Sequence, residues 1–214
     1  MRGDKLVIHE GHIKAARQIA KIVLPKIARN QRKLVITVAG ESGSGKSEVA
    51  SVLSDSLAKE GIKSTIFQQD DYFFYPPKTN ANMRRRNIGH VGTTEVNLTL
   101  LDRNLKDFRE GKSRIEKPLV IYDDDLITKE TAKLEGFKVA IVDGTYTSLL
   151  KNVNQRVFIN RTRLDTREAR ERRAREAQDE FLEKVLKIEH KIISAHKKRA
   201  DILVTKNYGV RKVK

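Results

Sequence analysis

Gly40-Glu41-Ser42-Gly43-Ser44-Gly45-Lys46-Ser47 satisfies G-x-x-x-x-G-K-[ST] at every fixed position. Its flanks decide how it is read. Leu34-Val35-Ile36-Thr37-Val38-Ala39 is an apolar, β-branched run that reads as a buried strand, and Ser47 opens a helical pattern (Val49, Val52, Leu53, Leu57) that stops at Gly61. Strand, glycine-rich turn and helix form a cradle in which main-chain N–H groups converge on one anion and the helix adds its positive end. Gly40, Ser42, Gly43, Ser44, Gly45, Lys46, Ser47 and Glu48 are therefore the expected nucleotide-binding residues. Lys46 would reach the β- and γ-phosphates of ATP, and the Ser47 hydroxyl would hold Mg²⁺.

The remaining elements extend this unit in both directions. His12 to Arg29 is an amphipathic helix with Ile13, Ala16, Ile19, Val23 and Ile27 on one face, and Pro25 should kink or divide it. Leu6-Val7-Ile8 suggests a short edge strand. Ile62 to Phe67 reads as a strand, residues 76–92 as irregular, and about 94–110 as a helix ended by Gly111. Ile115 to Tyr122 and Ala132 to Leu134 suggest a hairpin around Asp123-Asp124-Asp125. Val139 to Val142 and Gln155 to Ile159 are further strands, Arg163 to about Arg199 is helical, and Asp201 to Thr205 is the last strand. Alternating strands and helices predict an α/β fold: a parallel sheet of about five strands, helices on both faces, ligands at the strands' carboxyl ends.

Bulk properties narrow the class. A chain of 214 residues suits one domain over 1–214, divided here into an N-terminal helical extension (1–33), an acceptor-binding insert (76–135) and a lid (161–180). Cysteine is absent, which excludes disulfides, thiolate metal sites and a cysteine nucleophile. No apolar run is long enough to span a bilayer and no signal-peptide core appears, so a cytoplasmic location without membrane contact is expected. The net charge of +16 admits two readings, attraction of nucleic acid or the handling of several phosphates. The clustering of arginines near the phosphate loop favours the second. Oligomeric state stays open, with a homo-oligomer among the options.

Acids placed after strands supply the rest of the chemistry. Asp143, closing Val139–Val142, suits a metal-orienting role beside the phosphate loop. Asp70 and Asp71 are adjacent at a strand end, so their side chains should diverge, one toward an acceptor hydroxyl and one toward the metal. Arg161, Arg163, Arg167, Arg170, Arg172, Arg173 and Arg175 suggest a lid whose guanidinium forks could meet phosphoryl oxygens, although the interleaved Glu168, Glu171 and Glu176 equally suit a salt-bridged surface helix.

Taken together, these parts resemble the uridine kinase and phosphoribulokinase family of P-loop kinases. The resemblance runs through most of residues 34–205: Gly40 to Ser47, Gln69-Asp70-Asp71-Tyr72-Phe73, Asn87-Ile88-Gly89-His90, Pro118 to Asp123, Val142-Asp143-Gly144, Asp165-Thr166-Arg167 with Arg170, and Ala200-Asp201-Ile202-Leu203-Val204. It implies a P-loop NTPase fold with an Arg-rich helical lid, MgATP as donor and a small hydroxyl compound as acceptor. It also implies that Asp70 is the catalytic base, helped by Lys46, Arg167 and Arg170. Asp71, Tyr72, Arg84, Asn87, His90 and Tyr122 become the expected acceptor contacts, and Ser47, Asp70 and Asp143 the metal ligands. Two departures stand out. Glycine at 89 replaces an aspartate that would hold ribose hydroxyls, and the segment after Pro118 lacks the histidine expected at a pyrimidine.

A nucleoside is the first-guess acceptor. An anionic sugar or polyol phosphate is the alternative, since Arg84-Arg85-Arg86 could bind one. A basic nucleic-acid-associated NTPase or polynucleotide 5′-hydroxyl kinase is less favoured, because aromatics make up only 6% of the chain and stacking platforms are scarce.

Overall fold

A computed structural model describes residues 1–3, 6–173 and 179–214, with the side chains of Arg172 and Arg173 excepted. The expectations placed on Arg172, Arg173, Arg175 and Glu176 therefore lie outside the described side chains. The core is a six-stranded sheet in the order β2-β5-β1-β6-β7-β8. Its strands are β1 (Leu34–Gly40), β2 (Ser64–Gln68), β5 (Val139–Asp143), β6 (Gln155–Ile159), β7 (Ile202–Val204) and β8 (Val210–Lys212). The first five in that order are parallel, and β8 turns back antiparallel along β7. The expected five strands are thus joined by a sixth that the sequence reading overlooked.

Strand alternation builds two cores, one on each face. Leu34, Ile36, Val38, Ile141, Val157 and Val204 pack under α1 (Glu10–Arg29) and α2 (Lys46–Lys59). Val35, Ala39, Ala140, Val142, Phe158 and Leu203 face Leu101, Leu105 and Phe108 of α4 (Leu98–Arg109). Burial in these cores holds the carboxyl ends of β1, β2 and β5 side by side, with Val38 and Gln68 both in register with Asp143.

Three local expectations change. Pro25 leaves α1 continuous; it sits on the exposed face, where its missing N–H frees the carbonyl of exposed Lys21 to water. Leu6-Val7-Ile8 is irregular rather than a strand. Residues 77–86 form a helix, α3, with Pro77 at its first turn, where a proline costs no hydrogen bond.

The expected helix across Arg163–Arg199 is divided. α5 (Arg167–Arg173) and α6 (Glu180–Ser194) are distinct, and Asp179 caps α6 by accepting from the Leu182 N–H at 2.8 Å. β3 (Arg114–Ile121) and β4 (Leu126–Lys133) pair as a separate hairpin. Among the described residues no helix is long and apolar enough to cross a membrane.

Candidate active site

The phosphate loop joins β1 to α2 and is braced on every side. Gly43 (φ +72) leaves no room for a Cβ, which would fall 2.9 Å from Arg170 Cγ. Gly45 (φ +92) faces His12 of α1, and a Cβ there would collide with the imidazole. Positive φ and close approach together explain why glycine occupies both positions. In this state the Lys46 ammonium donates to the Glu41 carbonyl at 2.9 Å.

Asp143, at the end of β5, reaches Ser47. Its hydroxyl donates to Asp143 Oδ2 at 2.6 Å, while Asp143 Oδ1 is buried with no hydrogen-bond partner. Burial pushes the Asp143 carboxyl up to about 6, aided by the nearby Asp70 charge and opposed by the Ser47 bond and Lys46. An orphaned, desolvated carboxylate oxygen beside a hydroxyl and a second carboxylate is a hard-oxygen donor set. It fits Mg²⁺, which takes one or two protein carboxylates and keeps waters and phosphate oxygens as its other ligands.

Asp70 is half-buried and lines a cavity of about 160 Å³. α3 forms one wall through Asn80, Ala81 and Arg84, and α6 the opposite wall through Leu182, Val185, Leu186 and Glu189. Tyr75, Tyr122 and Thr145 border it, and Ser42 of the phosphate loop opens into it. Asp70, Arg84, Tyr122 and Ser42 are therefore brought to one space.

Other expected acceptor contacts are not. The Asp71 carboxylate turns away, pairing with Lys117 at 3.0 Å and accepting from the Val120 N–H at 3.0 Å, which docks the hairpin. Tyr72 is 1% exposed in the core under α4, a consequence of its apolar ring following the buried Asp71 in a 3₁₀ turn. Asn87 is exposed, and its side chain caps its own turn by accepting from Gly89 N–H at 2.9 Å. His90 stands behind the wall, 3.2 Å from Asn80 Oδ1.

The lid arginines separate in the same way. Arg170 is buried, donates to the Arg163 carbonyl at 2.7 Å and packs against Gly43. Arg167 is exposed and pairs with Glu171 at 2.9 Å, the surface arrangement of an i,i+4 pair. Glu48 is buried in the first turn of α2.

Several site residues escaped the sequence reading. Glu189, Val185 and Leu182 recur at helical spacing on α6, and that periodicity was the available signal. Glu41 and Glu95 offered none: Glu41 fills an unspecified position of the phosphate-loop pattern, Glu95 belongs to no motif, and only the tertiary fold gives them partners.

The sequence profile of the Phosphoribulokinase / Uridine kinase family matches residues 35–161. The chain is 29% identical over 188 residues to a uridine kinase of Macrococcus caseolyticus, covering 79% of this chain and 86% of that protein. It is 28% identical over 194 residues to the bifunctional alpha-galactosidase/sucrose kinase AgaSK of Mediterraneibacter gnavus, covering 84% of this chain but only 21% of that longer protein.

Among solved structures, a possible uridine kinase from Bacillus stearothermophilus superposes with a TM-score of 0.64 at 18% identity, covering 88% of this chain and 96% of that one. A D-glycerate 3-kinase from Cryptococcus neoformans does so with a TM-score of 0.62 at 15% identity, covering 92% and 98%. These two carry the fold alone, which is that of the P-loop kinases. The chain is a phosphotransferase acting on an alcohol group. With its profile match spanning more than half its length, this chain belongs to the Phosphoribulokinase / Uridine kinase family.

Proposed function

We propose that this chain transfers the γ-phosphoryl group of MgATP to a hydroxyl of a small molecule held between α3 and α6, with a nucleoside as the first candidate acceptor. The observation that carries the reading is the position of Asp70, which opens into the cavity while acting electrostatically on Asp143 beside Ser47. The uridine kinases among its relatives support the nucleoside candidate.

The geometry supports a division of labour. The loop N–H groups and the start of α2 hold the phosphate tail, and Lys46 exchanges the Glu41 carbonyl for phosphate oxygens. Ser47 and Asp143, with Asp70 nearby, would hold Mg²⁺, which when bound supplies positive charge to the β- and γ-oxygens. Asp70 orients the acceptor hydroxyl and takes its proton as the phosphoryl group moves. Arg170, already against Gly43, adds positive charge from the lid side. Acceptor-dependent ADP release across nucleosides, sugars and polyols tests the assignment, and its absence for every acceptor would refute it.

A further inference from the structure

Arg84 is the only cationic side chain lining the cavity among the described residues, and it is matched by two carboxylates. Glu95 receives it bidentately, through Nε to Oε1 and through Nη2 to Oε2 at 3.0 Å. Glu189 of the opposite wall accepts from Nη2 at 3.1 Å. Glu95 is also fixed by Asn80 Nδ2 at 3.0 Å and by the Gly92 N–H at 2.8 Å, and its side chain is fully buried. Releasing Arg84 to another anion would leave buried carboxylates without their cation, a costly exchange.

We propose that Glu189, with Glu95, acts as a charge screen over Arg84 and restricts the acceptor to uncharged, polyhydroxylated compounds; this rests on reading the cavity as the acceptor site. Two carboxylates, Asp70 and Glu189, line the cavity beside one guanidinium that Glu95, buried behind it, already neutralises, and the Met1 ammonium is taken by Asp71 at 2.8 Å. A phosphate or carboxylate on the acceptor meets like charge in a poorly screened space. What remains for recognition is neutral: the hydroxyls of Ser42, Tyr75, Tyr122 and Thr145. Such groups match sugar and polyol hydroxyls and offer nothing extra to an anion. The screen works as rejection: it weakens the wrong partner without needing a new contact to the right one.

Matched acceptors provide the test: uridine alone, then D-ribulose against D-ribulose 5-phosphate, D-fructose against D-fructose 6-phosphate, and glycerol against D-glycerate. Initial rates of ADP release with saturating MgATP give kcat/KM for each, in the wild-type chain and in Glu189→Gln. The wild-type chain should prefer the uncharged member of each pair that it uses by about 10²-fold or more, and Glu189→Gln should narrow that gap by about tenfold.

An anionic member preferred by the wild-type chain overturns the charge screen while leaving the kinase reading intact. An unchanged gap in a folded Glu189→Gln chain removes Glu189 from selectivity. Turnover of none of these acceptors despite intact MgATP binding overturns the cavity reading, and the screen with it. The wild-type comparison needs no variant, so a poorly folding Glu189→Gln leaves the test decisive.

Discussion

Glu41 of the phosphate loop accepts a hydrogen bond from His190 Nδ1 of α6 at 2.7 Å. Its other carboxylate oxygen takes the Arg163 N–H at the base of the lid, at 2.6 Å. Arg163 in turn pairs with Glu183 of α6 at 2.7 Å. One buried side chain therefore ties the donor loop to the lid and to the helix that walls the cavity. Glu41→Ala strands the Arg163 amide and should cost about 1–3 kcal/mol of stability. Urea denaturation measures that loss, and KM for ATP should rise with it. Unchanged values of both would mean the tie carries no energy.

Gly45 tests the brace supplied by α1. Alanine there must hold φ near +92 and also displace His12. The backbone term alone is about 1–2 kcal/mol. Gly45→Ala should lower the melting temperature and weaken ATP binding together, as read by thermal denaturation with and without ATP. Full ATP-induced stabilisation in the variant would contradict the packing described.

His12 sets a pH dependence. It is buried, its Nε2 lies 3.0 Å from the Tyr208 hydroxyl, and burial lowers its pKa to about 3, with the His9 and Arg161 charges acting the same way. The unfolded chain titrates this imidazole near its ordinary 6.5, so below that pH the unfolded state binds more protons. The stability it provides is complete above pH 6.5 and is lost as pH falls toward about 3. Urea midpoints at pH 7.5 and 5 should fall further for the wild-type chain than for His12→Asn, and equal drops would contradict a neutral buried imidazole.

Lys46→Ala removes a charge-assisted contact to the phosphates and should weaken ATP binding by about 10- to 100-fold. Calorimetric titration of ATP reads this directly. Native affinity would discredit the phosphate-loop assignment.

The parallel strands were legible in the sequence because burial on both faces writes them as uninterrupted apolar runs, as in Val35–Ala39 and Val139–Val142. The donor half of the candidate site was legible for a related reason: a loop that must wrap phosphate has few sequence solutions. The acceptor half was not. α3 (Pro77-Lys78-Thr79-Asn80-Ala81-Asn82-Met83-Arg84-Arg85-Arg86) is mostly polar because its inward anchors are Asn80 and Arg84 on buried Glu95, so no apolar stripe marks it as a helix. Asp70 and Asp71 are chemically identical neighbours, and partners distant in sequence, Lys117 and the Val120 N–H of a later hairpin and the Met1 ammonium, decide which of them turns inward. β8 has three residues and one half-buried apolar side chain, too little pattern to read.

The proposed mechanism turns on Asp70 as the base for an alcohol in this cavity. The direct measurement is turnover by Asp70→Asn with an acceptor used by the wild-type chain, alongside ATP affinity by calorimetry. ATP binding should stay near native while kcat falls by about 10²–10⁴-fold. Native turnover in that variant would contradict the mechanism.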